Sequence, residues 1–283
     1  MSQSVFTAPP WQSMFKSGTI DWRRHARDAI ALVRPPILSA ARRCADFLIP
    51  PACVACRQPL ASHNALCPVC WLQVDFIRPP LCDRLGIPLP YGLETPMISA
   101  RAAADPPAYN RARAVASHGG VMRELAHRLK YGDQQHVAPL LGRLLQDAGR
   151  DLLTDCNLLI PIPLSRARLW RRGFNQAAVL AKALHRRTGV PHDPMLLERR
   201  RDTPSQVGLT REQRKDNMRG AFAIAEGRSG EVKGRHVLLI DDVITTGATV
   251  EAAARVLKRA GAARIDVLSL SLVTDDGSTW RTD

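Results

Sequence analysis

The chain has 283 residues, 45% of them apolar, with seven cysteines and a formal net charge of +14. That length and composition allow one sizeable hydrophobic core plus a smaller appended unit, and exclude a chain too polar to fold. No stretch approaches the roughly 20 apolar residues that a membrane-crossing helix needs.

The basic balance points to polyanionic partners, whether phosphorylated small molecules, nucleic acid or anionic lipid, or else to a solvated Arg-rich surface. MSQSVFTAPPWQSMFKSG, at the start of the chain, lacks the continuous apolar run of a secretory leader, so the expected location is cytoplasmic. In that reducing compartment, paired Cys-x-x-Cys motifs read as metal ligands before they read as disulfides.

Residues 1 to about 20 are polar, contain Pro9 and Pro10, and show no sustained period, which predicts disorder. From 21 to 48, Ile30, Val33, Ile37, Leu38 and Phe47 sit among many arginines, which predicts a basic amphipathic helix broken near Pro35 and Pro36. Such a helix would pack on the neighbouring cysteine module or meet a membrane surface or partner.

From Cys53 to about Pro90 the chain is too short and too polar to build an ordinary core. Cys53-x-x-Cys56 and Cys67-x-x-Cys70, ten residues apart, place two thiolates on each of two tight turns. Two such turns can close a tetrahedral four-thiolate site, and four protein ligands make a zinc there structural. A redox pair and simple buried cysteines are the alternatives. Cys44 and Cys156 read as buried small apolar residues. Cys82 could begin a second half-site with His63 or Cys44, with no spacing that decides it.

Residues 93 to 107 read as a linker. Then come a short strand at Arg113 to Ser117, a helix carrying Val121, Leu125 and Leu129, and a second helix near 137 to 149. Beyond them strand and helix alternate: Leu158 to Ile160, a helix from about Asn175 to Arg187, and His236 to Ile240. A helix from about Thr249 to Ala260 and a strand at Ile265 to Leu270 follow. That alternation predicts an α/β fold with a mostly parallel sheet flanked by helices. The long, charged, weakly periodic stretch from Arg199 to Gly220 predicts a mobile functional loop.

Val237 to Thr249 is the most informative segment. A fully apolar strand delivers two carboxylates, Asp241 and Asp242, at its C-terminal edge, where open α/β sheets place their ligands. The turn Val243-Ile244-Thr245-Thr246-Gly247-Ala248-Thr249 then offers N–H groups and hydroxyls to a phosphate at a helix N-terminus. Acids beside an anion site make sense for a sugar phosphate, whose hydroxyls need acceptors. A decayed pocket that keeps the motif is the alternative. Neither of the common glycine-rich nucleotide motifs occurs at this strand end. A second element, Leu159 to Leu164 followed by Arg166, Arg168, Arg171 and Arg172, suits a diphosphate through the guanidinium fork, or is a solvated basic turn.

Taken together, Cys53, Cys56, Cys67 and Cys70, Leu129-Lys130-Tyr131, Pro161-Ile162-Pro163, Arg172 to Gln176, and Ile240-Asp241-Asp242 through Thr249 resemble the ComF family. These are competence-related proteins with a double zinc ribbon and a type I phosphoribosyltransferase-like domain. Thr203, Gln206, Arg214, Asn217 and Phe222 extend the match, which spans roughly 45 to 273. Leu85 stands where the family often has a second cysteine before glycine, so the resemblance leaves a second zinc site in doubt.

The resemblance implies an N-terminal extension over 1–45, a zinc-ribbon-like module over 46–92, a phosphoribosyltransferase-like domain over 93–275 and a tail over 276–283. It implies that Asp241 and Asp242 contact ribose hydroxyls, directly or through Mg2+, that Val243 to Thr249 bind phosphoribosyl pyrophosphate with Thr245 to Thr249 wrapping its phosphate, and that Thr203, Gln206, Arg214 and Asn217 lie on a closing loop. Transfer of the phosphoribosyl group to an acceptor is the leading expectation. Non-catalytic binding of nucleotide or single-stranded DNA during DNA uptake, with uptake proteins as partners, is the alternative. Transferases of this fold often pair, so a homodimer is an open expectation.

Overall fold

The computed structural model describes residues 50–92, 96–131, 134–201, 213 and 217–273. The chain divides into two units, Met1–Pro50 and Pro51–Asp283, and the account below concerns the second. The expected N-terminal extension, its helix and Cys44 lie outside the described residues, as do the tail and Thr203, Gln206 and Arg214.

Four parallel strands form the central sheet in the order β1 (Arg111–Ser117), β6 (Arg264–Leu272), β5 (His236–Ile244), β2 (Leu158–Pro161). The central strands read as continuous apolar runs because helices cover both faces. One face carries α3 (Gly120–Tyr131), α4 (Gln134–Ala148) and α7 (Gln176–Thr188), through Leu125, Leu129, Leu141, Leu145, Leu180 and Leu184. The other carries α8 (Ala248–Arg259), whose Val250, Ala253, Ala254 and Leu257 recur at helical spacing and are fully buried. The parallel α/β architecture inferred from the alternation is the architecture observed.

Some boundaries differ from the sequence reading. β5 does not stop at Ile240 but continues through both aspartates to Ile244, because pairing with β6 persists from Asp241↔Ser269 to Ile244↔Leu272. The short helices α1 (Pro68–Leu72), α2 (Ala100–Ala104), α5 (Arg150–Leu153) and α6 (Arg166–Arg172) carry too few apolar repeats to announce themselves, and α2 falls inside the expected linker. An antiparallel pair, β3 (Leu197–Arg199) and β4 (Phe222–Ile224), brackets the charged stretch expected to be a loop.

Both sheet edges are covered, which removes the pairing hazard of an open edge. Along β1 the chain leaving the cysteine module pairs antiparallel at Phe76↔Ala116, with Ile77 N–H on the Val115 carbonyl and Ser117 N–H on the Asp75 carbonyl. Along β2, Leu159 bonds Pro191 and Asp193. At the N-terminal edge of the sheet the fully buried Asp266 accepts from Arg111, from Arg264 Nε at 3.1 Å and from His236 Nε2 at 3.0 Å. One carboxylate thus ties the starts of β1, β5 and β6 together.

Asp266→Asn leaves two guanidinium groups facing a neutral amide in a buried place. It should cost about 3 kcal/mol or more of unfolding free energy, measured by urea denaturation. An unchanged midpoint would show that the cluster contributes nothing to the fold.

Candidate functional site

The first lobe of the cysteine module is held from two sides. Cys53, Cys56, Cys67 and Cys70 come together with all four sulfurs within 4.8 Å of one another. Cys67 N–H points at Cys53 Sγ (3.3 Å), and Cys70 N–H at Cys67 Sγ (3.4 Å), the latter capping α1. Burial pushes the Cys53 thiol up, but the backbone N–H groups of Cys56, Cys67 and Ala55 more than offset it, leaving a value of about 6. Burial and the neighbouring sulfurs push Cys70 the other way.

A cluster of four convergent thiols with N–H donors to sulfur fits a tetrahedral structural zinc. The apolar deficit noted in the sequence is met differently as well. Cys53, Val54, Ala55, Cys67, Cys70 and Val74 join the core cluster of α3, α4 and α7, and Arg128 donates to the Ala55 carbonyl at 2.8 Å.

The second lobe keeps its turn without a metal cluster among the described residues. Cys82 is buried, accepts the Ser99 N–H on sulfur at 3.2 Å, and has Leu85 where a partner thiol would stand. Gly86 (φ +67°) presses against β1 so closely that a Cβ would lie 2.4 Å from the Ala112 carbonyl oxygen.

The C-terminal edge of the sheet gathers three turns. β5 ends on the two acids and Val243-Ile244, and Thr245-Thr246-Gly247 then turn the chain into α8. Gly247 adopts φ +81°, a left-handed conformation that glycine tolerates, and no side chain caps α8. The first N–H groups of α8 are therefore available to an anion. Thr246 Oγ1 is shielded from solvent and has no hydrogen-bond partner among the described residues.

The two aspartates are unequal. Asp241 is 9% exposed, and burial first, then the charge of Asp242, raises its carboxyl well above the usual range. Asp242 is more open, and its Oδ2 lies 3.1 Å from Lys130 Nζ on α3. The edge thus presents one carboxyl held toward its protonated form and one carboxylate paired with an ammonium, and such opposed environments assign different roles to two acids. Lys130 belonged to the family resemblance but had no role in the sequence reading. Only the fold brings the end of α3 to the end of β5.

The arginine element follows β2, the strand beside β5, where Ile162 N–H bonds the Ile240 carbonyl. The arginines form their own short helix, α6, capped by Ser165, where the sequence suggested a basic turn. Gly173 ends α6 in a left-handed conformation, and Asn175 caps α7 while its amide donates to the Ile162 carbonyl. Arg166 and Arg171 are exposed, Arg168 and Arg172 half-buried. Arg172 donates to the buried Gln176 side chain at 3.1 Å. None of these arginines ion-pairs with Asp241 or Asp242. Asn217, which is helical, gives its carbonyl to Arg201 at 2.8 Å.

This is a zinc-ribbon protein with a phosphoribosyltransferase-type α/β domain. The chain matches the double zinc ribbon domain over residues 44–101 and the phosphoribosyl transferase domain over 171–282. It is 33% identical over 228 residues to the DNA utilization protein YhgH of Escherichia coli K12, covering 78% of this chain and 97% of that protein. It is 31% identical to Competence protein F of Haemophilus influenzae, covering 77% and 96% respectively. The chain belongs to the ComF family, as its motifs indicated. Among solved structures, the glutamine phosphoribosylpyrophosphate amidotransferase of B. subtilis matches at 20% identity and a TM-score of 0.33, over 47% of this chain and 25% of that one. No described helix is long and apolar enough to cross a membrane.

Two measurements follow. Metal analysis of the purified full chain should find one zinc per chain, lost in Cys53→Ser with Cys56→Ser and kept in Cys82→Ser; two zincs per chain would overturn the single-site reading. For Asp241, a raised native pKa means that the native state binds a proton the unfolded state has already released. Its contribution is therefore present below the ordinary carboxylate range and lost as pH rises through the raised value. Asp241→Asn should raise the melting temperature of the ligand-free protein more at pH 8 than at pH 5, by calorimetry.

Proposed function

We propose that the C-terminal edge binds phosphoribosyl pyrophosphate and that the protein transfers the phosphoribosyl group to an acceptor. The observation that carries this is the short run from a buried acid and an ion-paired acid, through the end of β5 and the turn Thr245-Thr246-Gly247, into an uncapped helix N-terminus. A ligand must then offer hydroxyls and a terminal phosphate a few ångströms apart, which a ribose 5-phosphate does.

In this reading Asp241 and Asp242 hold the 2- and 3-hydroxyls. The Thr246 hydroxyl and the N–H groups of Gly247, Ala248 and Thr249 hold the 5-phosphate. Asp242 is also the negative charge nearest the sugar ring, suited to a cation-like transition state. Lys130 positions Asp242 through the ion pair. The helix α6 arginines lie on the β2 side and face the diphosphate, which leaves with the electron pair of the C1–O bond while the nucleophile bonds to C1. Mg2+, carried with the diphosphate, supplies further neutralisation of the departing charge. The loop between β3 and β4, with Thr203, Gln206, Arg214 and Asn217, closes over the ligand and keeps water out.

Isothermal titration of the full chain with phosphoribosyl pyrophosphate and Mg2+ tests the site. Tight binding is expected in the native sequence, and Asp241→Asn with Asp242→Asn should weaken it beyond detection. Lys130→Met should weaken it about tenfold, the order of a charge-assisted contact. Equal affinity in the double variant would end the assignment of the acids.

A further inference from the structure

β5 has two flanks. β2 and the arginine helix lie on one, and β6 followed by β1 lies on the other. On that second flank His118 is the first residue after β1. Its N–H bonds the Leu272 carbonyl, and its Nδ1 lies 2.9 Å from Oγ of Ser271, a fully buried serine that sits opposite Val243 of β5. Among the described residues Nε2 has no hydrogen-bond partner. The charged groups that act on the ring are Lys130, Asp242 and Arg123. Burial first, then Lys130, lowers its pKa, Asp242 opposes them, and Arg123 adds to the lowering.

Displacement at C1 puts the leaving group and the nucleophile on opposite sides of the carbon. With the diphosphate directed toward the β2 flank, the nucleophile arrives from the β6 and β1 flank. Of the groups there, Lys130 and Arg123 cannot accept a proton, Ser271 is a weak base, and Asp242 is engaged by the ribose. We propose that His118 is the proton acceptor for the incoming nucleophile, with Ser271 as its positioning residue, and that the acceptor is a molecule reacting through an N–H or O–H group. This rests on the transfer reading above.

In the step, the nucleophile's lone pair forms the bond to C1 as the C1–O bond breaks and its electron pair leaves on the diphosphate. The nucleophile's proton passes to His118 Nε2, and the imidazolium later returns it to solvent. The tautomer required has Nδ1–H donated to Ser271 Oγ, which leaves the lone pair on Nε2, the ring nitrogen without a hydrogen bond among the described residues.

The test uses the full zinc-loaded chain, phosphoribosyl pyrophosphate and Mg2+, and measures diphosphate release with water as an O–H nucleophile and with azide, which has no proton to lose. In the native sequence, release to water should rise with pH through the imidazole range. His118→Gln should lower it by about 100-fold and erase that pH dependence, while azide-driven release and the affinity for phosphoribosyl pyrophosphate stay unchanged. Should that variant fail to fold, His118→Asn takes its place, and added imidazole should restore release in His118→Ala. Ser271→Ala should lower release less and keep the pH dependence.

Release to water at the native rate in His118→Gln, or equal loss with water and azide, would overturn the assignment. A native chain that binds phosphoribosyl pyrophosphate yet releases diphosphate with neither nucleophile would sink the transfer reading, and this inference with it. A native chain that does not bind it would sink the site itself.

Discussion

The chemistry of the edge depends on Asp241 standing in a strand hydrogen-bonded on both sides. Because β2 and β6 flank β5, the carboxyl at its end has little water around it, and the adjacent Asp242 adds like charge. A pair of neighbouring acids in solution would both ionise. Here the sheet separates their behaviour, and Lys130 from α3 completes the separation by pairing with the more exposed one. The turn Thr245-Thr246-Gly247 follows within three residues, so the acids and the uncapped helix N-terminus share one rigid support. Such support suits a site that must hold a sugar in one orientation.

The same sheet accounts for the cysteine module. A four-thiolate knuckle of this size has almost no apolar interior, yet its buried residues merge with the core between the sheet and α3, α4 and α7. Its exit strand seals the outer edge of β1. The metal site therefore does more than staple a small lobe: it shapes the surface that protects the sheet. The second lobe shows the converse. With Leu85 in place of a thiol, Cys82 satisfies its sulfur with backbone N–H groups, and the turn survives because Gly86 packs on β1.

Charge at the opposite edge works on stability and not on chemistry. Asp266 is fully buried, and it is tolerated because Arg111, Arg264 and His236 converge on it from neighbouring strands. Arg113 extends the cluster to Asp83 of the second cysteine lobe at 2.7 Å. The chain's excess of basic residues is thus partly consumed in holding the sheet and ribbon together, so net charge alone overstates what is available to anionic partners.

Much of this was legible in the residue order. The Cys-x-x-Cys pairs declare their site because two thiols two residues apart share a turn in almost any context. The segment from Val237 to Thr249 declares its strand-turn-helix form because an apolar run, two acids and a glycine turn are contiguous. Contiguous signals survive without knowledge of the fold. His118 and Ser271 carry no such signal: they lie far apart along the chain and meet because parallel β1 and β6 align their C-terminal ends, while Lys130 stood in a matched motif but reaches Asp242 only through the fold. The raised pKa of the buried Asp241, the separate arginine helix and the sealing of β1 by Phe76 were likewise decided by tertiary structure. Burial, strand order and the approach of remote side chains are properties of the packed sheet, and local spacing does not encode them.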